Sequence, residues 1–249
     1  MCKDYKNSAK LGVIGYGKMS GAILEGVLKN KFLSNNNIYI FDVNETSKNL
    51  AQKKGFNVLN SIDEILNKVD TILIATKPFV VDNVLNELKN NYKNQLVISI
   101  LAGVKIEKYH SILPDIKIVR VMPNIAALLA NAMSAICPST NCSQDDIAFA
   151  VEFMKNCGEV IIEEESKMDI VTALSGSGPA FYYKIIELMA SSAHKAGLDF
   201  KKAMLLSAQT ALGSAKMVLE YNFDTDTLIK NVTTPGGCTE VGNNVLNNS

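Results

Sequence analysis

Over its first 124 residues the chain repeats one pattern: a short apolar run, a polar or turn-prone cluster, then a helical stretch. The apolar runs cover residues 11–14, 38–41, 69–75, 96–101 and 116–121. They close on Gly15-Tyr16-Gly17, on Asp42, on Thr76-Lys77-Pro78, on Ala102-Gly103 and on Met122-Pro123-Asn124. Between them, apolar residues such as Ala22, Ile23, Val27 and Leu28 recur with a spacing near 3.6, and similar stretches cover residues 46–54 and 80–88. This alternation predicts an α/β fold with a Rossmann-like, doubly wound, mainly parallel sheet. Sheets of this kind bind ligands beyond the C-terminal ends of their strands, which is where every one of these clusters falls.

The first cluster carries the clearest chemistry. Gly15-Tyr16-Gly17 follows a strand and opens a helix, and an acid, Asp42, closes the next strand. In that setting the first glycine permits a tight turn and the second lets a pyrophosphate approach the backbone. Ser20 stands where the fingerprint has its third glycine and is small enough for helix–strand packing. Asp42 is placed to bind the adenosine ribose diol and to repel a 2′-phosphate. No arginine follows it closely, although Lys48 is within reach. The cofactor is therefore NADH or NADPH, with Asp42 favouring NADH. A plainer role for Asp42 is to cap the following turn.

Further on, residues 133–136 and 159–162 read as strands extending the sheet, with a helix over 145–156 between them. After Glu163-Glu164-Glu165 the pattern is all helical, over residues 169–197 and 200–219. The boundary is placed near residue 164, giving a dinucleotide-binding domain over 1–164 and a helical domain over 165–249. Small residues (Ala173, Gly176, Ala180, Ala190) permit close helix crossings, and Ile185, Ile186, Met189, Leu205 and Leu206 offer apolar surface to a partner. Ser175-Gly176-Ser177-Gly178-Pro179-Ala180 interrupts the long helix and marks a kink. Such a kink serves a ligand or a packing contact equally well.

Composition removes several alternatives. Lys plus Arg equals Asp plus Glu, so no net field draws the protein to nucleic acid or an anionic membrane. No apolar run is long enough to span a bilayer, and the polar start lacks the core of a secretion signal. A cytoplasmic protein is expected. Cys2, Cys137, Cys142, Cys157 and Cys238 are odd in number and widely spaced, which argues against a disulfide framework and against a metal site. His110 and His194 are the only histidines, so a histidine-based triad is not expected.

Near the C-terminus, Asn231 to Val241 reads N-V-T-T-P-G-G-C-T-E-V. Pro235 fixes one backbone angle while Gly236 and Gly237 free the next two. Free N–H groups at such a turn form a ready anion site. Thr239 stands where a helix could begin, so an ordinary threonine-capped loop is the plainer alternative.

The motifs G-V-I-G-Y-G-K-M, A-T-K-P, L-A-G-V, V-R-V-M-P-N, A-L-S-G-S-G-P-A-F, G-S-A-K-M-V-L-E and T-T-P-G-G-C-T follow one another over nearly the whole chain. In order and spacing the chain resembles the pyrroline-5-carboxylate reductases, which make proline in its last biosynthetic step. The resemblance implies a Rossmann domain followed by an all-helical dimerisation domain, assembled as a dimer or a ring of dimers. It implies that Ile14, Gly15, Tyr16, Gly17, Lys18 and Met19 hold the pyrophosphate, with Asp42 at the ribose. Thr76, Lys77, Pro78 and Ala102 would line the nicotinamide half. The carboxylate of 1-pyrroline-5-carboxylate would lie on Gly236, Gly237, Cys238 and Thr239, with Thr234 and Thr239 as substrate-contacting hydroxyls. Glu165 matches a substrate-contacting acid, although as residues alone it is equally a solvated member of an acidic run.

Reducing a cyclic imine to L-proline needs a hydride on carbon and a proton on nitrogen. The nitrogen takes its proton from water beforehand, so the protein chiefly supplies position, with reacting atoms roughly 3–3.5 Å apart. Thr239 is the candidate for the catalytic hydroxyl beside the nitrogen.

The chain departs from the family in three places. M-P-N-I-A replaces M-P-N-T-P at Met122–Ala126, removing a hydroxyl and a rigid turn. Lys230 stands where an aspartate is usual, and the chain stops at Ser249, before the family's final helix, in an asparagine-rich stretch. These departures leave room for a catalytically impaired relative, a nucleotide-sensing regulator, or another imine or hydroxyacid oxidoreductase.

Overall fold

The structure is a computed structural model describing residues 9–222 and 224–248; Cys2 lies outside the described residues. Eight strands form one sheet in the order β3-β2-β1-β4-β5-β6-β7-β8. They are β1 (Leu11–Ile14), β2 (Ile38–Phe41), β3 (Asn57–Val58), β4 (Thr71–Ile74), β5 (Leu96–Ser99), β6 (Lys117–Met122), β7 (Ala132–Pro138) and β8 (Gly158–Ile162). All neighbours pair in parallel except β6 and β7. The order reverses between β1 and β4, and this switch point opens a crevice at the strands' C-terminal ends.

The helices are α1 (Lys18–Lys29), α2 (Glu45–Lys53), α3 (Ile62–Leu66), α4 (Val81–Asn91), α5 (Ile106–Ile112), α6 (Gln144–Lys155), α7 (Met168–Val171), α8 (Gly178–Lys195), α9 (Phe200–Glu220), α10 (Thr225–Val232) and α11 (Cys238–Asn247). The central strands β1, β4 and β5 are buried along their length, as a sheet covered on both faces requires. One core joins Leu11, Val13 and Leu73 to Ile23, Leu24 and Val27 of α1 and to Phe149 and Phe153 of α6. The other joins Ile14, Ile72 and Ile74 to Ile65 of α3, Leu85 and Leu88 of α4 and Tyr109 of α5.

The sheet and the main helices form as the hydrophobic periodicity predicts. It did not reveal β3, α3, α5 or α10, nor the reversed direction of β7. These elements are short, and local capping specifies two of them. Ser61 Oγ accepts the Glu64 N–H at 3.2 Å to start α3, and Asp224 Oδ1 accepts the Thr227 N–H at 3.1 Å to start α10.

The chain packs as two units, 1–179 and 180–249. In the second, His194 Nδ1 bonds to the Leu198 carbonyl at 2.8 Å and its ring packs edge-on to Phe200, 5.7 Å away, closing the α8–α9 turn. Its helices leave much apolar surface open: Phe181, Tyr182, Leu205 and Leu246 are all more than half exposed. Asn243, Asn244 and Asn247, poor helix formers as residues, lie within α11, and Asn248 is its C-cap. No described helix is long and apolar enough to cross a membrane.

Candidate active site

The crevice is built first by the turn after β1. Gly15 has φ +96°, and a Cβ there would fall 2.8 Å from the Ala75 carbonyl oxygen. Only glycine lets the turn lie this close to the end of β4. The Tyr16 side chain goes the other way, into the core, where it packs edge-on to Phe56 at 5.8 Å. Burial raises its phenol pKa above the ordinary value. Tyr16 therefore anchors the turn and offers a ligand only its backbone.

Ser20 is more than a small residue. Its hydroxyl donates to the Gly15 carbonyl at 3.0 Å and accepts the Gly17 N–H at 3.0 Å, binding the turn to the first turn of α1. The first intrahelical bond here runs from the Gly21 N–H to the Gly17 carbonyl at 3.0 Å, so the N–H groups of Lys18 and Met19 stay open. A Cβ on Gly17 would meet no atom within 4 Å. An open helix N-terminus facing free space suits a pyrophosphate.

Asp42, at the tip of β2, accepts the Tyr16 N–H at 2.6 Å and the Asn44 N–H at 2.8 Å. It thus fills the plainer capping role and also ties β2 to the glycine turn. Beyond it, Asn44 Oδ1 caps α2 by accepting the N–H groups of Thr46 and Ser47, at 2.8 and 3.2 Å. Lys48 pairs with Glu45 at 2.7 Å.

Thr76, Lys77 and Pro78 follow β4, and Ala102 lies exposed beyond β5, so these predicted residues line the same edge of the sheet. The turn after β6 brings in a residue that periodicity alone does not mark. Asn124 Oδ1 caps the 3₁₀ turn Ile125–Leu129 by accepting the Ala126 N–H at 3.2 Å, and its Nδ2 donates to Ser175 Oγ at 3.3 Å. A proline in place of Ala126 would have no N–H to give. The hydrogen bond closes the turn that the ring would have stiffened. Residues Thr172–Gly176 form one π-helical turn, closed by a 2.9 Å bond from the Ser177 N–H to the Thr172 carbonyl. The kink read from Ser175-Gly176 is this widened turn, a form common at functional sites.

Glu165 is not a solvated member of the acidic run. Its Oε1 accepts from Arg120 Nη1 at 3.0 Å and from the Ile106 N–H at 2.7 Å. Lys184, beyond the π turn, is paired with Glu187 at 2.8 Å. Cys137, Cys142, Cys157 and Cys238 are free thiols. Among the described residues no cluster could hold a metal ion.

In the second unit, Gly236 has φ +73° and Gly237 caps α11. The plainer, threonine-capped alternative is not met: the helix starts at Cys238, Thr239 lies inside its first turn, and no side chain caps it. The Gly237 N–H donates to the Thr234 carbonyl at 2.9 Å, and a Cβ on Gly237 would sit 2.5 Å from Thr234 Oγ1. The first-turn N–H groups of Cys238 and Thr239 remain open. The Gly236 N–H already holds a carboxylate, that of Glu240 Oε2, at 2.8 Å. The turn is thus chemically able to take an acid group, and the Thr239 hydroxyl is not consumed by capping.

Residues 165–249 match the family described as pyrroline-5-carboxylate reductase dimerisation, and residues 10–103 match the NADP oxidoreductase, coenzyme F420-dependent family. The chain is 42% identical over 236 residues to a pyrroline-5-carboxylate reductase of Methanosarcina acetivorans, covering 94% of this chain and 87% of that one. It is 34% identical to pyrroline-5-carboxylate reductase 2 of Bacillus subtilis, covering 96% of this chain and 87% of that one. Among solved structures it is similar to the pyrroline carboxylate reductase of Plasmodium falciparum with NADP bound, at TM-score 0.87 and 31% identity over 97% of this chain and 90% of that one. It is also similar to the enzyme of Coxiella burnetii, at TM-score 0.91 and 30% identity over 97% of this chain and 91% of that one.

Proposed function

The chain belongs to the pyrroline-5-carboxylate reductase family, and from that premise we propose that it reduces 1-pyrroline-5-carboxylate to L-proline. One observation carries the reading: the chain has two glycine turns of different build, each opening a helix whose first N–H groups are free. The turn at Gly15–Gly17 suits a pyrophosphate and the turn at Gly236–Gly237 suits a carboxylate. A nicotinamide nucleotide, when bound, supplies the hydride.

The rest of the chemistry falls to the chain's own residues. The open amides of α1 hold the nucleotide's pyrophosphate with the backbone of Ile14, Gly15, Gly17, Lys18 and Met19. Asp42 orders the glycine turn and takes the ribose diol. Thr76, Lys77, Pro78 and Ala102 wall the nicotinamide. The backbone of Gly236, Gly237, Cys238 and Thr239 grips the substrate carboxylate, with Thr234 beside it. Thr239 places its hydroxyl at the ring nitrogen, which arrives protonated from water, and so would hold the imine carbon in place for reduction to the amine of proline. We also propose that the working division of the chain falls at 164/165, where the matched dimerisation family begins.

We further propose NADH as the preferred donor. The support is the anionic Asp42 at the β2 tip, the engagement of Lys48 by Glu45, and the engagement of the α2 amides by Asn44. An unpaired like-charge approach costs several kcal/mol in general, so kcat/KM for NADH should exceed that for NADPH by at least about tenfold, or ~1.4 kcal/mol. Comparing the two donors with 1-pyrroline-5-carboxylate tests both statements. No oxidation of either donor rejects the reductase reading; a higher kcat/KM with NADPH rejects only the donor preference.

The apolar faces of α8 and α9 support self-association, as a dimer or a ring of dimers, which a sizing column reads directly. Free thiols support a reducing, cytoplasmic setting. Balanced charge supports a small-molecule enzyme without nucleic-acid or membrane partners.

A further inference from the structure

Arg120 is the only arginine in the chain, and it is buried in the middle of the sheet, on β6. A buried guanidinium is costly unless every donor is matched, so its partners show what it is for. Its Nη1 donates to Glu165 Oε1 at 3.0 Å, and that same oxygen accepts the Ile106 N–H, the start of α5, at 2.7 Å. Its Nη2 lies 3.8 Å from Asp169, whose side chain is largely exposed and adds little.

Arg120 pairs in register with Ser99 at the end of β5. The Ser99 hydroxyl meets the buried Tyr109 hydroxyl at 2.5 Å and accepts the Leu101 N–H at 3.4 Å, just before Ala102. Burial pushes the Tyr109 phenol up to about 12, so it stays a neutral hydrogen-bonding group. An apolar patch seals the same region: Met122 beyond Arg120, Ile106 of α5, and Met168 and Val171 of α7.

These contacts tie together the two segments that carry the nicotinamide end of the site. One is the β5–α5 loop with Ala102. The other is α7 and the π turn, which holds Ser175 against Asn124. We infer that Arg120 and Glu165 form a positioning clamp that sets these two walls relative to each other, and that Glu165 acts through the clamp and not by touching the substrate. The inference rests on the reductase reading.

Kinetics of Arg120→Lys, Arg120→Met, Glu165→Gln and the Arg120→Met/Glu165→Gln pair test it. A displacement of about an ångström at the reacting atoms costs about 100-fold, so kcat should fall by about 10–100-fold in Arg120→Met and Glu165→Gln. The KM for the imine should stay within about twofold, and the double variant should be no slower than about threefold below the slower single, because members of one unit are not additive. Arg120→Lys, which keeps the charge, should recover part of the loss. Glu165→Gln is nearly isosteric at a partly exposed position, so it stays informative if Arg120→Met does not fold. Amide hydrogen exchange gives a readout that needs no turnover: Ile106 and Ser177 should exchange at least about tenfold faster in Glu165→Gln than in the parent. A rise in imine KM with kcat retained makes Glu165 a substrate contact and overturns the clamp. So do losses that multiply in the double variant, or unchanged exchange at Ile106 and Ser177. Inactive parent protein with faster exchange in Glu165→Gln would fault the reductase reading and leave the clamp standing.

Discussion

Replacing Gly15 by alanine is expected to abolish measurable nucleotide binding and to lower the thermal midpoint by about 4–16 °C. Two costs combine. The backbone at Gly15 sits at φ +96°, which a side chain tolerates at a strain of about 1–3 kcal/mol. The added Cβ would also fall 2.8 Å from the Ala75 carbonyl oxygen and 3.0 Å from the Thr76 nitrogen, both main-chain atoms that cannot swing aside. Together these amount to about 2–4 kcal/mol, and a chain of this size loses about 2–4 °C per kcal/mol. To relieve the clash the turn must move away from β4, which breaks the Ser20 and Asp42 contacts that aim its amides. Gly17→Ala is the control. Its Cβ meets nothing, and the position is a helix cap, so stability should change by about 1 kcal/mol or less. The methyl would nevertheless stand where the pyrophosphate is placed, raising the nucleotide Kd by at least about tenfold. Calorimetry and nucleotide titration of both variants separate the two effects. A Gly15→Ala protein that binds nucleotide normally would remove the turn from the site.

How far such a site can be read from residues alone depends on where its information is stored. Gly15, Gly17 and Asp42 announce themselves because their roles are local: a turn, an approach, an acid at a strand tip. The parallel pairing of the inner strands follows from alternation, since parallel neighbours need a crossover between them, whereas their order is seen only in the sheet itself. Arg120 and Glu165 are different. They lie 45 residues apart, and nothing in the spacing of V-R-V-M-P-N or of the acidic run Glu163–Glu165 joins them. Only the sheet brings them together. The bond between Asn124 and Ser175 spans 51 residues and is equally silent in the sequence. The direction of β7 is hidden because a strand's apolar pattern is the same read either way. The cap of α11 lies two residues before the one that the plainer, threonine-capped reading gives, because Gly237, which has no capping side chain, takes that place. A signal was available for α3: Ser61 followed three residues later by Glu64 is a capping pattern, and it precedes an apolar pair, Ile65 and Leu66.

The place of that cap bears on the second large effect. As a cap, Thr239 would have spent its hydroxyl on its own helix, and Thr239→Ala would have been a stability variant. The structure places it instead inside the first turn of α11, half-buried, beside the open amide of Cys238. Its hydroxyl is therefore a candidate partner for the ring nitrogen. Losing one oriented hydrogen-bonding group of that kind costs about 10–1000-fold in turnover, so Thr239→Ala should lower kcat by that factor. The thermal midpoint should move little, because the change removes no cap. Thr239→Ser keeps the hydroxyl and should retain most of the rate, which separates the loss of the group from the loss of a methyl contact. Thr234→Ala provides the contrast: with the carboxylate held mainly by main-chain amides, it should raise substrate KM more than it lowers kcat. If Thr239→Ala turns over at the parent rate, the ring nitrogen must be positioned by another group. The carboxylate turn would then serve binding alone.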